Sequence, residues 1–87
     1  MATRVVNVAQ EAHDVYIGRP SVWGNPFKIR LGFGRRAVIR AYAEWIKSQP
    51  ALLAQVPALK DKRLGCHCAP LPCHGDVLAR LADGGVV

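Results

Sequence analysis

Leu64-Gly65-Cys66-His67-Cys68-Ala69-Pro70-Leu71-Pro72-Cys73-His74-Gly75-Asp76-Val77-Leu78-Ala79-Arg80-Leu81-Ala82 is the stretch whose reading decides the fold. Arg63-Leu64-Gly65-Cys66 has the composition of a brief strand. Two prolines stiffen the turn that follows. Val77, Leu78 and Leu81 then recur at helical spacing and predict a helix from near Cys73 to Ala82, ended by Gly84-Gly85. A strand that turns directly into a helix points to an α/β chain.

Working outward, Val5, Val6 and Val8 favour an early strand that Asn7 interrupts. Val15-Tyr16-Ile17 reads as a second strand, stopped by Gly18-Arg19-Pro20. A Gly- and Pro-rich loop follows, with Trp23 and Phe27 expected to pin it to the domain. Another helix is predicted from Gly34 or Arg35 toward Ser48, burying Val38, Tyr42, Trp45 and Ile46. Gln49-Pro50 interrupts it. A short turn is expected over residues 51–56, with Leu59 docking it onto the core. Strands alternating with helices predict a small α/β sandwich. Residues 1–83 form one domain in this reading and 84–87 a flexible tail.

Composition bounds the function. Eighty-seven residues, 51% of them hydrophobic, suffice for one modest core and no large catalytic chamber. No apolar stretch reaches membrane-spanning length, and no leader pattern follows Arg4, so no membrane partner and a cytoplasmic location are expected. Three cysteines cannot all pair within one chain, which suits a reducing compartment. A net charge of +6 and a pI near 9.8 favour acidic partners: nucleic acid, nucleotides or an acidic protein. The charge reads as dispersed, with Arg35, Arg36 and Arg40 the densest patch and Lys60, Lys62 and Arg63 a second.

All three cysteines and two of the three histidines lie within nine positions, 66–74. Cys73 sits at the predicted helix start, where exposed N–H groups attract phosphate and stabilise a thiolate. It is the candidate nucleophile, with His74 assisting proton movement and His67 an alternative that approaches through the fold. A purely structural account also holds. Cys66 then belongs to the strand core, Cys68 packs under the turn, Cys73 caps the helix and His74 bonds to backbone. Metal binding is the third reading. Cys66, Cys68 and Cys73 supply three thiolates, and His67 or His74 a fourth ligand, for zinc or an iron–sulfur centre. No paired Cys-x-x-Cys knuckle is present.

The earlier loop offers ligand-binding chemistry. Gly18 and Gly24 permit close backbone approach. Arg19 can grip phosphate or carboxylate in two places, Ser21 and Asn25 add directional hydrogen bonds, and Trp23 can stack on a base. Asp76, in the first turn of the last helix, is placed to stabilise that helix, to orient His74 or to bind a ribose. Neither the phosphate-loop motif nor the dinucleotide fingerprint occurs.

Two blocks carry a family resemblance. They are Val15-Tyr16-Ile17-Gly18-Arg19-Pro20-Ser21-Val22-Trp23-Gly24-Asn25-Pro26-Phe27 and the stretch from Leu64 to Leu78. With the Tyr42 and Trp45 helix between them, the chain resembles the small bacterial and phage domain of unknown function called DUF4326. That family usually has a tryptophan between its first two cysteines, where this chain has His67, so the resemblance implies no required imidazole there. The second block is also similar to the Cys–Pro–Cys–His segment of DUF488, a larger Rossmann-like family. This resemblance implies a small Rossmann-like sandwich with a short, mostly parallel sheet. DUF488 sequences commonly continue into arginine; this chain continues into Gly75-Asp76, so a phosphate-binding role through that arginine does not carry over.

Together these features predict a small intracellular protein that binds a nucleotide-like or phosphorylated molecule through Arg19, Ser21, Trp23, Asn25 and Asp76. Cys73 and His74 would carry any transfer or hydrolysis. The competing readings are a zinc- or iron–sulfur-containing nucleic-acid module, with Cys66, Cys68, Cys73 and His74 as ligands, and a phage or host interaction domain. A homodimer is compatible with all three.

Overall fold

The computed structural model describes residues 2–87; Met1, the first residue of the expected domain, lies outside them. The chain runs β1 (Arg4–Asn7), β2 (Val15–Tyr16), α1 (Arg35–Lys47), α2 (Pro50–Leu53), a 3-10 turn (Val56–Leu59), β3 (Arg63–Cys66) and α3 (His74–Ala82). The three strands form one parallel sheet in the order β1-β3-β2. The last strand in sequence is thus the central one. Leu64 faces Val5 on one side and Val15 on the other, and Asn7 pairs with Cys66. The fold is the expected small Rossmann-like α/β sandwich.

The helices dock through the stripes their sequences imply. On α1, Val38, Tyr42 and Ile46 recur every four residues and are buried. On α3, Val77, Leu78 and Ala82 share the buried face. Tyr42, Ile46 and these three close on Ile17, Trp23, Leu64 and Cys66 to make one core, which Val56 and Leu59 of the 3-10 turn complete. Trp45 is only half-buried and tilts against the Tyr42 ring at 5.5 Å.

The start of α3 is a capping box. The Cys73 Sγ accepts from the Gly75 N–H at 3.3 Å, and the Cys73 N–H donates to Asp76 Oδ2 at 3.0 Å. Its end is turned by Gly84, at φ +86°, where a side chain would be strained. Residues 84–87, expected as a flexible tail, turn back onto the domain. Arg80 Nε donates to the Val86 carbonyl at 2.6 Å and Lys47 Nζ to that of Val87 at 3.1 Å.

Asp14 fastens the front of β2 to β3. It accepts from Arg63 Nε at 3.1 Å, Arg63 Nη2 at 3.0 Å and the Arg63 N–H at 2.8 Å. These bonds to Arg63 lower the Asp14 pKa from 3.8 to about 2. Between those values the unfolded chain takes up a proton that the native carboxylate refuses. The contribution of Asp14 is therefore fully present above about pH 4 and is lost as the pH falls through about 2. Asp14→Asn is expected to lower the urea midpoint at pH 6 and to converge on the parent as the pH falls below about 2. A constant difference across that range would mean that ionisation is not what holds this turn. Because the pair is solvent-exposed, the effect at pH 6 is small.

Candidate functional site

In an open parallel sheet, backbone diverges at the carboxyl ends of the strands and leaves a crevice there. Here that crevice is a cavity of about 360 Å³. Tyr16 and Cys66 reach it from the strand ends, Arg19, Asn25 and Phe27 from the loop after β2, and Arg35, Val38 and Ile39 from the first turns of α1. His67, Cys68, Cys73 and His74 close it from the β3–α3 turn.

That turn is held at both edges. Asn7, at the end of β1, donates through Nδ2 to the Ala69 carbonyl at 2.9 Å. Arg35 donates through Nη1 to the Pro72 carbonyl at 3.0 Å. Gly75 lets α3 press against the sheet, because a Cβ there would lie 2.7 Å from Ile17 Cδ1 and 2.9 Å from Val5 Cγ2. The approach brings Cys73 Sγ to 3.5 Å from Cys66 Sγ. With Cys68, the three sulfurs all lie within 4.8 Å of one another, a group able to coordinate a metal ion. Cys66 and Cys73 are buried and Cys68 is half-buried; all three are free thiols.

Electrostatics reverse one expectation. Burial and the neighbouring Cys66 push the Cys73 thiol well above its ordinary range, although the Gly75 N–H pulls the other way. The helix start does not produce a thiolate, because loss of water outweighs one backbone hydrogen bond. His74 is pushed down, first by burial and then against the pull of its bond to Ile17. Its Nε2 stands 2.7 Å from the Ile17 carbonyl, which can only accept, so this nitrogen carries the proton. Its ring meets that of Tyr42 edge-on at 5.0 Å.

Of the residues singled out in the sequence, Arg19, Asn25, Cys73 and His74 line this one cavity. Asn25 is buried and largely occupied with the loop itself, donating to the Val38 carbonyl and accepting from the Phe27 N–H. Trp23 is a correction. It lies in the core with its carbonyl accepting from Tyr42 at 2.8 Å, and it does not reach the cavity to stack on a base. A small core gains more from indole burial than an exposed stacking platform would. Ser21 is away from the cavity wall, and its hydroxyl is buried without a hydrogen-bond partner. Asp76 serves the capping box and does not line the cavity. The group of potential metal ligands comprises the three thiols without His74, whose Nε2 is held by Ile17. His67 meets Tyr16, whose hydroxyl is 3.3 Å from His67 Nε2 and donates to the Arg19 carbonyl.

Sequence reading missed Tyr16, Arg35 and Asn7. The signal for the first was available: a polar aromatic at the carboxyl end of a parallel strand points at the ligand crevice. In the sequence Arg35 reads only as part of a basic patch, and Asn7 only as a break in a valine run.

DUF4326, described as a domain of unknown function, matches residues 2–84. The chain belongs to the DUF4326 family. An uncharacterized 12.4 kDa protein in the nrdA-td intergenic region of Enterobacteria phage T4 is 38% identical over 84 residues, covering 92% of this chain and 77% of that protein. No solved structure matches the chain. Within this DUF4326 domain both resembling blocks meet: the loop after β2 and the cysteine turn form opposite walls of the same cavity.

Proposed function

We propose that this DUF4326 domain binds one zinc ion through Cys66, Cys68 and Cys73, beside a cavity open to an anionic ligand. One observation carries the reading: three thiols gathered within 4.8 Å in a chain with no disulfide among its described residues. A tetrahedral zinc with metal–sulfur bonds of about 2.3 Å sets its sulfurs about 3.8 Å apart. Cys66 and Cys73, at 3.5 Å, already stand near that spacing. An iron–sulfur cluster spreads its cysteine sulfurs over several metal atoms, so this compact group fits a single ion better. Three protein ligands leave a fourth position, as in zinc sites that exchange water or substrate. All three cysteines line the cavity, so that position is served from it.

A cation also answers the electrostatic problem of the site. The buried Cys73 thiol resists ionisation, whereas a bound metal deprotonates its thiol ligands outright. In this reading Cys73 is a ligand and not a nucleophile.

A second reading has its own support. Arg19 and Arg35 bring two guanidinium groups to a cavity whose other walls are partly apolar, which suits a nucleotide-like or phosphorylated molecule. The two readings are compatible, the anion taking the open side of the ion.

Metal analysis of anaerobically purified chain tests the assignment. One zinc per chain, with thiol reagents blocked until a chelator is added, is the expected result. Metal-free folded protein that takes up no zinc on titration would remove it.

A further inference from the structure

The charge of this chain is not spread evenly. Residues 15–43 hold six of the twelve Lys and Arg and none of the six Asp and Glu, so the rest of the chain is neutral and the whole +6 lies in this segment. The cations are Arg19, Lys28, Arg30, Arg35, Arg36 and Arg40. All but Arg35 are exposed. The ion pairs among the described residues, Arg4–Glu11, Lys47–Glu44 and Arg63–Asp14, use none of them.

Two of these cations reach the cavity, and the other four stand exposed on the segments that lead from it. Arg19 and Arg35 line it, and Lys28 lies between two further lining residues, Phe27 and Ile29. Arg36 stands on the flank of α1 beside the cavity-lining Arg35 and Ile39, and Arg40, one turn further on, lies round on its solvent side. The loop before α1 adds apolar surface. Ile29 is 54% exposed and Leu31 entirely so, on either side of Arg30, whose guanidinium lies 4.7 Å from the Phe33 ring. Like charges with no carboxylate partners repel one another, and a polyanion relieves that repulsion.

We propose that this rim binds single-stranded nucleic acid, with phosphates along Lys28, Arg30, Arg36 and Arg40 and one base entering the cavity past Arg19. Alternating cations and exposed apolar side chains match an unpaired strand, which offers phosphates and base faces together. A duplex offers phosphates but keeps its bases stacked, leaving Ile29, Leu31 and the cavity without a partner. A small anion would engage Arg19 and Arg35 and leave the other four cations uncompensated. The interface goes beyond metal binding, and Arg36 and Arg40 lie outside the thiol group.

The test is fluorescence anisotropy with a labelled oligothymidylate of about 12 nucleotides, within the span that small single-strand modules cover. Binding is expected to weaken with salt, with a logarithmic slope of roughly −0.7 for each phosphate engaged. Arg36→Gln with Arg40→Gln should weaken binding about tenfold at low salt and flatten the slope by roughly 1.4. Lys60→Gln with Lys62→Gln makes the same charge change in the neutral remainder of the chain and should leave both quantities unchanged. Equal losses in the two double variants would overturn the interface. So would equal affinity for a duplex of that length, or equal competition by inorganic polyphosphate at matched phosphate concentration. Both pairs of side chains are exposed, so folding is preserved. Zinc content measured on the same samples keeps the two proposals apart: chain that holds zinc yet ignores the strand refutes the interface alone.

Discussion

Cys73→Ser is expected to leave a folded chain that no longer retains zinc. The two halves of that result have different causes. Cys73 is the N-cap of α3, and its sulfur accepts from the Gly75 N–H at 3.3 Å. Serine is a strongly preferred N-cap and is nearly the same size, so the helix start survives the exchange. The metal site does not, because a hydroxyl is a far poorer zinc ligand than a thiolate. Apparent zinc-binding energies of structural sites run to about 10–16 kcal/mol shared among their ligands, so one lost thiolate weakens binding by roughly a thousandfold. Competition against a chelator measures the affinity, and urea denaturation of the metal-free chains measures the fold. The expectation is a large fall in the first with little change in the second. Undiminished zinc affinity in the serine chain would end the tri-cysteine assignment. Cys68→Ser should follow Cys73→Ser, since Cys68 is half-buried and its hydroxyl can reach water. Cys66→Ser should also cost stability, because it places a hydroxyl in the core beneath the central strand. Zinc uptake should release protons, Cys73 among their sources, since burial keeps that thiol protonated without metal. Calorimetry in buffers of different ionisation enthalpy reads that release.

Tyr42→Ala is expected to unfold most of the population at room temperature. Tyr42 is completely buried at the centre of the core and donates to the Trp23 carbonyl at 2.8 Å. Removing a buried aromatic ring costs about 3–5 kcal/mol, and the stranded carbonyl adds about 1–3 kcal/mol. A domain of this size has a total stability of only about 5–10 kcal/mol. Tyr42→Phe separates the two contributions, keeping the ring and losing only the hydrogen bond. Urea midpoints in the order parent, Tyr42→Phe, Tyr42→Ala are expected. If phenylalanine matched the parent, the hydroxyl would have no role in holding the loop that carries Trp23 and Asn25. The ring also meets His74 at 5.0 Å, so this core residue supports the cavity wall as well as the fold.

Much of the architecture was readable from local pattern. The α1 stripe and the α3 stripe obey helical spacing, and the capping chemistry at Cys73 and Gly84 marks where α3 begins and ends. Strand β3 was readable with less force, because Arg63–Cys66 contains one aliphatic residue and a glycine. Its central place in the sheet explains how so weak a strand is stabilised: it is paired on both edges. The charge asymmetry was in the sequence as well. Counting densest patches concealed it, whereas asking which long segment lacks carboxylates reveals it.

The site divides differently. Sequence alone determined the cysteine turn, the absence of the standard phosphate-binding motifs and the residue types on both walls of the cavity. It also allowed Cys73 to be a thiolate at a helix start and Trp23 to be a stacking platform. Tertiary structure weighs against the platform and against a Cys73 thiolate in the absence of metal, because each outcome depends on how much water remains around a side chain, and burial is set by neighbours distant in the chain. It likewise decided that Cys66, Cys68 and Cys73 form a single group. Separations along a chain are counted in residues, whereas a metal responds to ångströms between sulfurs, and those are fixed only when α3 packs against the sheet.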